Sequence, residues 1–255
     1  MRTFFADGIE GLEAGARAEL ASDEVGHVRA ARIRPGDRLL LIDGAGSPWE
    51  AELVGLDRRR ASCRLLAPLP SGPPLPLHLW APVANRDRSL WLVEKVVELG
   101  VATITWIEWE RSRSVADGSR SGGFLRRAEG RARAALKQSG RGWLPRLEGF
   151  VKPEEAFGRH EGTGWLADQE GRPLLGGGIP RDSRAGPAGP PLTVAVGPEG
   201  GLTSAERRCF SEAGFELFSL SPATLRFETA AVVAAAAAAA ILADEENEAD
   251  EDGTT

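Results

Sequence analysis

Residues 68–76 read Pro-Leu-Pro-Ser-Gly-Pro-Pro-Leu-Pro, five prolines and a glycine in nine positions. Proline has a fixed φ and no N–H to give to a ladder, so neither a helix interior nor a central strand can cross this stretch. It is a stiff extended linker, and the chain must fold as separate units before and after it. The hydrophobic period changes across it as well. Residues 1–70 read as β. Strands are expected at residues 38–42, at 49–54, where apolar and polar residues alternate, and at 61–66, with Pro35-Gly36-Asp37 and Asp43-Gly44-Ala45-Gly46 as turns. Short strands joined by tight turns describe a small barrel.

After the linker, strands alternate with helices. Strands are expected at residues 77–83, 101–107, 163–168, 192–196 and 215–220. Helices are expected at 89–99, where Leu92, Val96 and Leu99 share a face and Gly100 stops it, then at 124–139, 204–213 and 229–243. Residues 171–191, rich in Gly and Pro, read as a loop. Such alternation argues a parallel α/β sheet with ligands at the carboxyl ends of its strands. The resulting division is a barrel over residues 1–70, a linker over 71–76, an α/β domain over 77–243 and a tail over 244–255.

Charge separates these regions. The formal net charge is −6, but the tail holds seven acidic residues and no basic one, so the rest of the chain nets +1. The tail is expected to be disordered and solvated. Residues 111–146 hold ten basic residues against Asp117 and Glu129, a local excess of +8. That is a candidate phosphate-binding surface, and a basic solvated helix face is the plain alternative. With 42% apolar and 27% charged residues the chain can bury a core. Cys63 and Cys209 are its only cysteines, far apart, which excludes a disulfide scaffold and any Cys/His zinc spacing and points to a reducing cytoplasmic compartment. The longest apolar run, residues 229–243, is too short and alanine-rich to span a bilayer.

Two loops carry the chemical signal. Val196-Gly197-Pro198-Glu199-Gly200-Gly201-Leu202 leaves a buried strand and enters a helix capped by Thr203 or Ser204, with Glu206 in its first turn. Glycines there admit a ligand close to the backbone. The loop is neither a Walker loop nor a GxGxxG fingerprint. The second loop, residues 220–230, sets Arg226 and Glu228 just before a helix that should be buried, where charges are paired or functional. A structural Arg226–Glu228 pair is one reading and a reactive site the other.

These loops, with Leu225-Arg226-x-Glu228-Thr229-Ala230, resemble the ribosomal small subunit methyltransferase E family. Asn85-Arg-Asp-Arg88 with Glu94-Lys95-x-x-Glu98-Leu99-Gly100-Val101, Glu110-Arg111-Ser-x-Ser114-Val115 and Lys137-Gln138-Ser139-Gly140-Arg141-x-x-x-Pro145 extend the resemblance over nearly the whole chain. The family's fold is a PUA-like β-barrel followed by a SPOUT α/β domain with a C-terminal trefoil knot, an exception to unknotted topology. The resemblance implies S-adenosylmethionine as cofactor, no metal, a homodimer, no membrane partner, and methylation of N3 of uridine 1498 in the 16S rRNA of the 30S subunit. A related SPOUT enzyme with another RNA target, or a ribosome-assembly protein that binds RNA without catalysis, are the competing implications. Ser221 departs from the family, which usually has glycine there.

By position in that pattern, cofactor binding is expected of Leu166, Gly197, Glu199, Gly200, Gly201, Leu220, Ser221 and Leu225. Arg226, Glu228 and Glu199 are the candidates for catalysis: Arg226 to hold uracil or phosphate with its permanent charge, either carboxylate to take the N3 proton or to hold Arg226. RNA contact is expected of Arg32, Arg88, Arg111, Arg113, Arg126, Arg133, Lys137 and Arg141.

Overall fold

A computed structural model describes residues 1–112, 123–174 and 190–252. The chain divides into two compact units, the break falling between Pro73 and Pro74 inside the proline-rich stretch. The first unit is Met1–Pro73 together with Arg133–Leu144, and the second takes Pro74–Ala132 and Pro145–Thr255. The return of residues 133–144 to the first unit is not visible in a linear reading, which assigned them to the α/β domain.

The first unit holds strands β1 (Thr3–Phe5), β2 (Arg17–Glu19), β3 (Arg38–Ile42), β4 (Trp49–Leu56) and β5 (Ala61–Pro68), with helix α1 (Glu24–Ala30). Its sheet runs β1-β3-β4-β5-β2, antiparallel except for β1 beside β3. The two edges meet: Ala6 bridges Leu20, and Ala21 N–H donates to Phe5 O at 2.9 Å. The sheet is thereby closed into a barrel and keeps no free edge. Alternation drives it. Trp49, Ala51 and Leu53 on β4 and Ala61, Cys63 and Leu65 on β5 are buried, with polar residues between them. Burial pushes the Cys63 thiol up to about 12, so it stays protonated and behaves as a small apolar group.

Residues 133–144 finish this unit. The Glu24 side chain is 2% exposed, and Lys137 Nζ meets it at 2.7 Å, which prevents an uncompensated buried charge. The Arg133 guanidinium lies 3.8 Å from the Phe5 ring centroid. Trp143 donates its indole N–H to Gly72 O at 2.7 Å and lies against Gly46, where any Cβ would sit 2.2 Å from the indole ring. Gly46 is also at φ 88°, so only glycine suits that turn.

The second unit holds β6 (Leu77–Pro82), α2 (Arg86–Leu99), β7 (Thr103–Ile107), most of α3 (Gly123–Ser139), β8 (Arg146–Val151), α4 (Pro153–Gly158), β9 (Thr163–Pro173), β10 (Leu192–Val196), α5 (Ser204–Glu212), β11 (Glu216–Ser219) and α6 (Phe227–Asp252). All six strands are parallel, in the order β11-β9-β10-β6-β7-β8. Every residue of β10 is buried, as expected of a strand covered on both faces. Strand order reverses beside β10, and ligand crevices open at such switch points, at the carboxyl ends of the strands. On α6, Ala231, Ala234, Ala235 and Ala238 form a buried small-residue stripe that lets the helix lie close on the sheet.

Several elements differ from the sequence reading. Strands β1, β2 and β8 and helices α1 and α4 are too short or too irregular in pattern to be read from periodicity. Gly171 to Pro173, read as loop, extend β9. At Gly171 a Cβ would lie 2.4 Å from the Phe218 nitrogen, so the glycine admits a close strand there. Residues 244–252, expected to be disordered, continue α6 as far as Asp252. Propagation adds one hydrogen bond per residue, and Glu and Ala are good helix formers, so a tail attached to a formed helix extends it.

Candidate cofactor cleft

Strand β10 delivers residues 197–201 to the carboxyl edge of the sheet. Gly201 N–H closes the turn on Pro198 O at 2.8 Å, and Gly201 takes φ 72°, the left-handed conformation that calls for glycine. Thr203 then caps α5 in a full capping box. Glu206 N–H donates to Thr203 Oγ1 at 3.3 Å, and Thr203 N–H donates to Glu206 Oε2 at 2.7 Å. The other oxygen of Glu206 accepts the Glu110 N–H at 2.8 Å, tying the start of α5 to the segment after β7.

Strand β11 delivers the second wall. Ser221 Oγ accepts the Ala223 N–H at 3.1 Å, so its hydroxyl makes the turn. Among the described residues Arg32 is the one non-glycine with positive φ, at 57°. Ser221 therefore replaces the family's glycine without strain. The middle of β9 supplies the third wall. Gln169 Nε2 donates to Thr224 Oγ1 at 2.8 Å, and Asp168, nearly buried, pairs with Arg207 at 2.6 Å.

Together these walls enclose a cleft of about 480 Å³. Gly197, Glu199, Gly201, Leu220, Ser221 and Leu225 line it, as does Arg226. Leu166 and Gly200 do not: Leu166 is 1% exposed within the aromatic core of the unit, and Gly200 faces Arg111, whose Nη1 donates to Gly200 O at 3.3 Å. The volume suits a medium-sized organic ligand. The lining, apolar side chains and loop backbone with a few polar groups, is that of a cofactor site.

The charged candidates separate in an unexpected way. Arg226 is exposed at the cleft and is not the partner of Glu228. Glu228 is buried at the start of α6, and its ion pair is with Arg88 Nε at 3.6 Å. Arg88 Nη1 also donates to Glu199 Oε1 at 2.6 Å. Arg88, expected on an RNA surface, thus sits between the two carboxylates expected to do chemistry. One signal for this was present in the sequence: a cation in the first turn of a helix opposes the helix dipole and needs another reason to be there.

The remaining RNA candidates divide likewise. Arg126 is exposed on α3, and Arg32 and Arg141 are exposed in the first unit. Arg133 and Lys137 are engaged within the first unit with Phe5 and Glu24. Arg113 lies outside the described residues. Among the described residues no cluster of His, Cys, Asp and Glu could hold a metal ion, and no helix is long and apolar enough to cross a membrane.

Comparison with known proteins agrees with this geometry. Residues 71–239 match the RNA methyltransferase domain, and residues 20–66 match the RNA methyltransferase PUA domain. The ribosomal RNA small subunit methyltransferase E of Mycobacterium tuberculosis is 30% identical over 242 residues, covering 89% of this chain and 87% of the relative. The protein of that name from Bacillus subtilis is 26% identical over 227 residues, covering 86% and 88%. The crystal structure of a Neisseria gonorrhoeae ribosomal RNA small subunit methyltransferase E bound to S-adenosyl methionine superposes with a TM-score of 0.81 at 28% identity, covering 96% of this chain and 98% of that one.

Proposed function

This chain belongs to the ribosomal RNA small subunit methyltransferase E family, and on that premise we propose that it methylates N3 of uridine 1498 in 16S rRNA with S-adenosylmethionine. The observation that carries the reading is the cleft at the carboxyl ends of β10 and β11, flanked by the middle of β9, with the exposed guanidinium of Arg226 at its edge. The cleft fits the cofactor in size and lining. When bound, S-adenosylmethionine supplies a methyl group on a cationic sulfur.

This chain's residues do the rest. Leu220, Leu225 and the backbone of Gly197, Glu199 and Gly201 would hold the cofactor. Uracil N3 carries a proton at neutral pH and must lose it as the methyl group is transferred. Arg226 meets the negative charge that develops on the uracil oxygens, a role for a group that is always charged and free to reach. Glu199, 28% exposed in its side chain, is the carboxylate that can meet an incoming base, whereas Glu228 is buried behind Arg88. Positioning of the base against the cofactor supplies much of the rate.

The homodimer, the cytoplasmic setting and the trefoil knot belong to the same proposal. The path of the chain supports the knot: after β10 it crosses β9 to form β11, and α6 then returns to pack on α2, β10 and β6. The test is methyl transfer from labelled S-adenosylmethionine by the purified protein. The acceptors are 30S subunits and free 16S rRNA from a strain lacking its own enzyme, followed by nucleoside mass spectrometry. The expected product is 3-methyluridine at one position. A ribose-methylated nucleoside, or no transfer to either acceptor, would overturn the reading.

A further inference from the structure

Arg88 joins three elements of the second unit. Its backbone is fixed at the start of α2, where Asn85 caps the helix and accepts the Arg88 N–H at 3.2 Å. Its guanidinium reaches Glu199 in the β10–α5 loop at 2.6 Å and Glu228 in the first turn of α6 at 3.6 Å. Glu199 belongs to one wall of the cleft. Glu228 follows the other wall by two residues, and the 220–226 loop ends in its helix.

A cation this close to a helix N-terminus is unfavourable for the helix itself. Two carboxylates reverse that balance, and the planar fork of arginine can address both at once where a lysine ammonium can approach only one closely. The pairs are half-shielded rather than fully exposed: the side chains are 35%, 28% and 10% accessible for Arg88, Glu199 and Glu228. Among the described residues the second oxygen of Glu228 is buried without a hydrogen-bond partner, and Arg88 is the group that compensates this carboxylate.

We propose that Arg88 is a positioning residue for the cofactor cleft: by holding Glu199 and Glu228 to one guanidinium it fixes the separation of the 197–201 and 220–226 walls. The role rests on the cleft being the S-adenosylmethionine site. It differs from RNA contact, since Arg88 acts through the loops and is felt by the cofactor alone in the absence of RNA.

The test is calorimetric titration of S-adenosylmethionine into the full chain without RNA, for wild type, Arg88→Lys, Arg88→Ala, Glu199→Gln and the Arg88→Ala/Glu199→Gln pair, with melting temperatures on the same samples. Arg88→Ala is expected to weaken binding roughly tenfold, within the coupling range of contacting charged groups, and Arg88→Lys to weaken it less. The double variant should lose less than the sum of the two single changes, because Arg88→Ala already removes the contact between the two side chains. If all variants bind as wild type while melting lower, Arg88 merely supports the fold and the proposal fails. If binding is unchanged and Arg88→Ala instead lowers the log–log salt slope of RNA binding by about 0.7 to 0.9, Arg88 is a phosphate contact and the proposal fails likewise. Should Arg88→Ala not fold, Arg88→Lys and Arg88→Gln keep the stem and answer the same question. A wild-type chain that binds no S-adenosylmethionine would overturn the functional reading itself, a result distinct from any of these.

Discussion

At the scale of single residues, the separation of Arg226 from Glu228 decides what a substitution should do. Arg226 is exposed and Glu228 is engaged by Arg88, so removing the Arg226 side chain leaves no buried charge behind. Arg226→Ala should keep the melting temperature of the wild type and lower kcat by about 100-fold, the size of effect seen when a donor to developing negative charge is removed. Single-turnover methylation and thermal denaturation on the same sample check it; a large loss of stability would restore the structural pair. Glu228→Ala removes a buried carboxylate that Arg88 holds to the start of α6, and should lower the melting temperature instead. A second residue-scale effect lies at the amino-terminal edge of the sheet. His160 packs 4.5 Å from the Phe215 ring and 5.6 Å from Trp80, and both of its nitrogens are buried without a hydrogen-bond partner among the described residues. Burial, aided by repulsion from His78, holds its pKa below 6.5. Burial lowers His78 too, with Glu148 opposing and Arg146 reinforcing the shift. Such an imidazole binds fewer protons folded than unfolded. Its stability contribution is therefore complete above about pH 6.5 and is lost as pH falls from there through the folded value. Melting temperature should decline between pH 7 and 5.5, and His160→Phe, which suits the aromatic surroundings, should flatten that decline. An unchanged slope would show that other groups set it.

At the scale of elements, the α5 capping box is the local device with the widest reach, since Glu206 serves both the cap and the Glu110 backbone. Thr203→Ala should destabilise by about 1 kcal/mol, the usual worth of an N-cap, which is about 2–4 °C in a chain of this size. Glu206→Ala should lose more, as it also removes the acceptor of the Glu110 N–H, and denaturant midpoints would rank the two. This cap was legible in the sequence because Thr203 and Glu206 stand at the spacing that physics requires, directly after a fully apolar strand. The same holds for β10, for α2 with Gly100 in the left-handed conformation at φ 87°, and for the alanine face of α6. Other elements left no periodic trace. β1 and β2 have three residues each and owe their existence to partners 37 to 47 residues away. The site was legible as two loops because strand–glycine turn–helix is a local pattern. The reach of Arg88 across 111 residues to Glu199 is not local, and the lining by Asp168 and Gln169 comes from a third strand brought alongside by topology.

At the scale of the whole molecule, the distribution of charge sets how RNA is held. The acidic residues at the end of the chain mask a body that nets +1, and within it residues 111–146 carry the excess of +8. Some of that charge is internally compensated: Lys137 meets Glu24, Arg146 meets Glu148 and Arg131 meets Glu94. Arg126 and Arg127 are exposed on α3, lie in the second unit and head a basic helix face that nothing in the fold requires. Phosphate contacts of this kind act by releasing counterions, each adding about 0.7 to the log–log salt slope on single strands and about 0.9 on duplex. The double variant Arg126→Ala/Arg127→Ala should therefore weaken binding to 16S rRNA and lower the slope by about 1.4 to 1.8. Its S-adenosylmethionine affinity should be unchanged, and kcat at saturating RNA should stay near wild type, because a contact made equally in ground and transition states alters apparent affinity and not turnover. Arg133→Ala makes the informative control. Its guanidinium is stacked on Phe5, so its loss should reduce the stability of the barrel unit and leave the salt slope nearly unmoved. Filter binding across a salt series, with turnover measured at saturation, separates the outcomes. A slope that falls for Arg133→Ala and holds for the double variant would move the RNA surface off the exposed face of α3 and onto the barrel.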